Sequence, residues 1–124
     1  MEKNEKVTLC GANSYLKKYY FNEDFAALPD QVKKELNIMC VLFTEEAGGI
    51  LTMEFSPEGD LLFTVSVDDA DYLFDEIESG LQIRKLQKEH EKLLRGIEQY
   101  YKIRFLGMDP ADVLTDEDTE GMPS

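Results

Sequence analysis

The sequence predicts an α+β domain in the order β-β-α-β-β-α, with a four-stranded antiparallel sheet covered on one face by a central helix and a long C-terminal helix closing the fold. Three observations carry this prediction. Two stretches read as β-hairpins, at residues 7–21 and 50–67; an apolar stretch between them is bracketed by proline and glycine; and a seven-residue apolar repeat follows residue 80. At 124 residues the chain is long enough for one domain with its own core and too short for two. We therefore expect a single domain over residues 1–106 and an acidic, disordered tail over residues 107–124, which should pack nothing.

The first element is read from "KVTLC", a β-branched and apolar run, followed by the turn formers "GANS" and the aromatic, strand-favouring "YLKKYYF". In the second strand Tyr15, Lys17, Tyr19 and Phe21 would share one face and Leu16, Lys18 and Tyr20 the other. The cluster of Cys10, Ser14, lysines and tyrosines is therefore read as turn and strand chemistry. A nucleophile here would need a base, and the sole histidine is His90.

"LPDQVKKELNIMCVLFTEEAGG" is read as a helix, because Pro29 suits a first helical turn, Asp30 suits the N-terminal dipole, and Gly48 or Gly49 suits the stop. Val32, Leu36, Met39, Cys40, Phe43 and Ala47 recur at three- and four-residue steps. "IMCVLF" also fits a buried strand, which periodicity alone does not exclude over so short a run. "ILTMEFSPEGDLLFTVSV" then gives the clearest hairpin, with two alternating runs around "SPEGD". Leu51, Met53 and Phe55 share an apolar face with Leu61, Phe63, Val65 and Val67, while the other face is mostly polar, as expected of a sheet covered on one side.

From Asp69 the pattern turns helical, with an Asp N-cap, acids in the first turn and Leu73 four residues before Ile77; Gly80 is a point of kink or interruption. Beyond it, Ile83, Leu86, His90, Leu93, Ile97 and Tyr100 form a heptad seam, with Glu91–Arg95 and Glu98–Lys102 as outward pairs. A helix over residues 81–105 would span about 37 Å, more than the ~30 Å of a small domain, so part of this seam is expected to meet a partner. His90 is the unusual member, suited either to a satisfied seam edge or to setting register and sensing pH.

Charge sharpens the partner expectation. Residues 1–80 hold 17 acids and 6 bases, residues 81–106 hold 3 acids and 7 bases, and residues 107–124 hold 6 acids and no base. The basic segment suits an acidic protein or the acidic body of a second copy, and the acidic remainder repels nucleic acid. No leader-like apolar region opens the chain and no stretch approaches the ~18 apolar residues of a membrane span, so a cytoplasmic protein without membrane contact is expected. Cys10 and Cys40 lie thirty positions apart without a C-x-x-C pattern and are expected as buried free thiols. Phosphate-loop and dinucleotide signatures are missing, "DDADYLFDEIE" lacks the alternation of a calcium loop, and Cys10, Cys40 and His90 have no zinc-ligand spacing. No catalytic residue, metal or cofactor is assigned.

The succession "LCGANSYLKKYYFN", "IMCVLFTEEAGGILTMEF" and "LFDEIESGLQIRKLQ" resembles a family of small uncharacterised Firmicutes proteins, a domain of unknown function, over roughly residues 7–105. The resemblance implies a bacterial cytosolic setting and supplies no activity. Two functions follow from the residues themselves. The first is a non-enzymatic interaction or regulatory module working through its basic C-terminal helix, with Ile83, Leu86, His90, Leu93, Ile97 and Tyr100 as contacts. The second is a small-ligand binder or enzyme with a pocket between the Tyr15–Phe21 strand and the helices, lined by Tyr19, Tyr20 and a lysine.

Overall fold

The structure, a computed structural model, describes residues 6–114. It is an α+β fold whose four strands, β1 (Val7–Asn13), β2 (Lys18–Phe21), β3 (Ile50–Phe55) and β4 (Leu61–Ser66), form one antiparallel sheet in the order β2-β1-β3-β4. Two local hairpins are thus joined by the pairing of β1 with β3. Between them lies α1 (Asp30–Ala47), which begins after Pro29 and stops at Gly48, where φ is +80°. "IMCVLF" is helical, because its Leu36, Met39, Cys40 and Phe43 are needed at helical spacing over the sheet.

Alternation builds the core. Ala12, Leu51 and Val65 stand in one row across the sheet, Cys10, Met53 and Phe63 in the next, and Phe55 with Leu61 in a third. These rows point toward the helices. A bulge at Thr8–Cys10 adds one residue to β1, and both Leu9 and Cys10 are buried. The opposite face carries Gly11, Thr52 and Thr64, and it remains open.

The first turn and the start of the helix after Asp69 both differ from the sequence pattern. The first turn is at Ser14–Lys17, not at "GANS", because Gly11, Ala12 and Asn13 continue β1. Gly11 lies so close to β3 that a Cβ there would sit 2.6 Å from the Leu51 carbonyl oxygen. Lys17 takes the left-handed position of the turn, with φ 53°. The helix expected from Asp69 starts at Glu76, since Asp68 and Asp71 each accept an N–H two residues on and hold Asp68–Leu73 in turns. Asp75 is the cap, accepting from the Ile77 and Glu78 amides.

The terminal helix is two helices, α2 (Glu76–Glu89) and α3 (Glu91–Arg104), each of 14 residues and about 21 Å. Gly80 lies inside α2 and does not interrupt it. The break falls at His90, whose φ of −114° and ψ of 26° leave the helical region while its amide still bonds Leu86 and its carbonyl accepts from Leu94. Neither helix alone exceeds the ~30 Å of a small domain. After the break the deepest residues are Leu94, Ile97 and Tyr101, so the inward face is turned from the Leu93–Tyr100 seam by about one residue. Glu91 and Arg95 pair at 3.4 Å as expected. Glu98 instead accepts the Leu61 amide at 2.7 Å, and Lys102 meets Asp60 at 3.5 Å, so both tie α3 to the β3–β4 turn.

Tyr101 stacks on Phe55 at 4.0 Å and 4°, and Phe25, from a 3-10 turn at Glu23–Phe25, packs on both. Within the segment expected to be disordered, residues 107–114 are ordered: Asp109 caps α4 (Pro110–Val113) and Val113 is buried. The remainder of that segment, residues 115–124, lies outside the described residues. Among the described residues, no helix is long and apolar enough to cross a membrane.

Two outcomes follow. Gly11→Ala must displace the β3 backbone and should destabilise by about 1–3 kcal/mol, whereas Gly96→Ala, inside α3 with open space around it, should stabilise by about 1 kcal/mol; urea unfolding of each measures the sign. Truncation after Leu114 should leave the unfolding midpoint unchanged, while truncation after Leu106 should lower it by several degrees through loss of Val113. Equal midpoints would show that α4 contributes nothing.

Candidate functional site

Exposed apolar side chains gather on the outer surface of the helical layer. Leu73, in the turn before α2, is 95% exposed; on α2 itself Ile77 is 78% exposed and Leu81, one turn on, 52% exposed. Across a groove of about 370 Å³, α1 presents the exposed Leu42, with Ile38 one turn before it. Met39, Phe43 and Leu86 form the apolar lining, and Glu46, Glu78, Lys85, Glu89 and His90 complete it. The groove exists because α2 packs on α1 through its inner side alone, where Ser79 and Leu86 are buried.

The six contact residues expected from the sequence are divided by this geometry. Leu86 and Ile97 are buried in the chain's own core, and Ile83, Leu93 and Tyr100 are half-buried against it. His90 is half-buried at the helix break and lines the groove. The sequence pattern noted Leu73 and Ile77 only as a four-residue pair and placed the contact surface on the seam after Gly80. The available signal was the four-residue spacing of Ile77 and Leu81, which runs on a different line of α2 from the seam at Ile83 and Leu86.

A second groove, of about 430 Å³, lies between the Ser14–Lys18 turn and α1, lined by Tyr19, Lys17 and Lys18 with Val41, Thr44 and Glu45 opposite. This is the position expected for a ligand pocket. Tyr20 is not part of it, because strand alternation puts that ring on the open face of the sheet, over Gly11. The Tyr15 hydroxyl is committed elsewhere: it donates to Asp71 at 2.7 Å and accepts from the Asp68 amide, fastening the turn to the loop after β4.

Beneath Tyr19 lies a knot of sulfur. Cys10 and Cys40 are free, buried and 3.8 Å apart at Sγ, and the Met53 Sδ is 3.7 Å from the first and 3.5 Å from the second. The thiol contact with Cys10, and then burial, push Cys40 far above the ordinary thiol range. Burial, and then the neighbouring Cys10, likewise hold the Tyr19 phenol far above its ordinary value. Neither group is an activated nucleophile at neutral pH. Among the described residues, no three His, Cys, Asp or Glu side chains gather as a metal-binding group.

These raised values fix an alkaline response. Cys40 and Tyr19 stay protonated in the folded chain above 9.0 and 10.0, their ordinary values, and buried Tyr101 is raised in the same direction. The folded state then holds more protons than the unfolded one, so stability is fully present below about pH 9 and falls with rising pH. Urea midpoints at pH 7.5 and 10.5, with phenolate absorbance appearing only on unfolding for Tyr19 and Tyr101, check this. Equal midpoints would refute it.

No curated protein and no solved structure matches the chain. One family model does, over residues 6–109, which takes in the sheet, α1, α2, α3 and the aromatic cluster. The chain therefore belongs to the family described as a family of unknown function, DUF6145.

Proposed function

We propose that this chain is a non-enzymatic interaction module of the cytoplasm that pairs with a second copy of itself through α2. The observation that supports this reading is the exposed strip of Leu73, Ile77 and Leu81. Ile77 and Leu81 on α2, Leu73 in the turn before it, and Leu42 and Ile38 on α1 are large apolar side chains of the kind that monomers seldom leave uncovered together. Two buried free thiols suit a reducing compartment.

Charge selects the partner. The first half of α2 carries Asp75, Glu76 and Glu78, and the second half carries Arg84, Lys85 and Lys88. Two α2 helices crossing antiparallel near Leu81 would set each acidic half against the other copy's basic half, which is the self-complementary pattern of a two-fold interface. An acidic protein alone would satisfy the basic half and be repelled by the other. The contact thus passes to the strip one helix face away from the seam, whose Leu86 and Ile97 are occupied inside the fold. With about five apolar side chains per copy, the pair belongs to the small, micromolar class of interface.

The groove beside Tyr19 supports a second reading, a small-ligand site, through its paired lysines and its apolar wall. It ranks below the first because the Tyr19 hydroxyl is enclosed and does not face the groove as a binding group. A specific ligand would raise the melting temperature in a soaked screen, and the interaction module alone would leave it flat.

Light scattering over a concentration series should show a monomer–dimer equilibrium that weakens with salt. Ile77→Glu should weaken it more than tenfold without lowering the melting temperature, since Ile77 is exposed in the single chain. Arg84→Glu should also weaken it, and adding Glu78→Arg on the same chain should restore it. A wild type that stays monomeric at several hundred micromolar, or a dimer indifferent to Ile77→Glu, would sink the proposal.

A further inference from the structure

Three sulfur atoms from three separate elements close a triangle in the middle of the core. Cys10 in β1 and Met53 opposite it in β3 lie 3.7 Å apart, and Cys40 reaches down from α1 to 3.8 Å from the first and 3.5 Å from the second. All three side chains are fully buried. Sulfur packed for its bulk alone would account for these contacts, but not for the group beside them. The Tyr19 hydroxyl is enclosed beside them, without an oxygen or nitrogen partner among the described residues, and the polar group it meets is the Cys10 thiol.

We propose that Cys10, Cys40 and Met53 form a three-coordinate site for a soft monovalent metal ion of the Cu(I) class, with Tyr19 as its outer hydrogen-bond donor. The point equidistant from the three sulfurs lies about 2.1 Å from each, within ~0.2 Å of an ordinary metal–thiolate bond. Two thiolates and a thioether are a soft donor set, which selects Cu(I) over the oxygen-seeking ions. Three sulfurs without a fourth donor leave a tetrahedral zinc site incomplete. No third His, Cys, Asp or Glu joins the two thiols among the described residues.

Binding exchanges protons for metal without any redox change. Each thiol loses its proton to solvent as its sulfur bonds the ion, Met53 donates a lone pair, and copper stays Cu(I). The site passes from neutral to one negative charge. That charge makes the Cys10 sulfur a stronger acceptor for the enclosed Tyr19 hydroxyl.

The test uses the full chain, reduced and anaerobic, with Cu(I) delivered from its bicinchoninate complex. One equivalent should transfer to the wild type, with a rise in melting temperature and protection of both thiols from alkylation. Cys40→Ala should abolish transfer. Met53→Leu, which keeps the volume, should weaken affinity about tenfold or more, and Tyr19→Phe should weaken it while leaving the stoichiometry at one. Should the cysteine variant fail to fold, X-ray absorption of the loaded wild type decides, since three sulfur scatterers are expected. Failure of the wild type to take Cu(I), transfer that survives Cys40→Ala, a first shell of nitrogen or oxygen, or a Cys10–Cys40 disulfide in the purified reduced protein would overturn the site.

Discussion

The stack of Tyr101 on Phe55 is the contact on which the layout of the helical layer depends. At 4.0 Å and 4° it joins the last helix to the far end of the sheet, and Phe25 and Phe105 close around it. Such pairs add to their buried area a preference for one geometry. The neighbouring polar contacts then hold α3 in register: Glu98 on the Leu61 amide and Lys102 on Asp60. With α3 fixed there and β4 ending at Ser66, the chain between them must climb the flank of α1 and turn sharply before descending. His90 is where it turns. The exposed strip on α2 follows from the same requirement, since a bridging helix with one packed side leaves its other side facing outward.

Much of this was legible in the sequence because local chemistry and global packing agree. Pro29, Gly48 and the three- and four-residue spacing of Leu36, Met39, Cys40 and Phe43 all specify one helix, and the fold contains it. The alternation of Leu51, Met53 and Phe55 specifies which side of the sheet is covered. What misled the reading was competition. Asp68, Asp71 and Asp75 each suit a helix start by type, and only Asp75 caps one, because the other two close turns on their own backbone. Similarly, nothing in "QKEHEK" is a helix breaker. The helix breaks at His90, where Leu94, Ile97 and Tyr101 begin to dock on the core.

The candidate sites divide along the same line. A surface strip can be read from spacing once the inward side is known; the apolar seam after Gly80 is instead the side that packs on the core, with Leu86 and Ile97 buried in it, while Ile77 and Leu81 face outward. The sulfur triangle was beyond spacing altogether. Cys10, Cys40 and Met53 meet only because β1 pairs with β3 in one register and α1 presents one face, and no one-dimensional pattern encodes that coincidence. Sequence reading does place each residue on a covered side of its element, which is a necessary condition for their meeting.

The strand order also carries a consequence for how the chain reaches this structure. Both hairpins close over a few residues, and the helices are local by nature. The pairing of β1 with β3 is different, since Asn13 must find Ile50 and Val7 must find Phe55 across the whole of α1. Closing a loop of about forty residues costs roughly 3 kcal/mol before any contact rewards it. That step becomes favourable when α1 already lies on one hairpin and presents Leu36, Met39 and Cys40 as a template for the other. The middle of the sheet, and with it the joining of the two halves, is therefore the part of the molecule whose formation is expected to limit the folding rate.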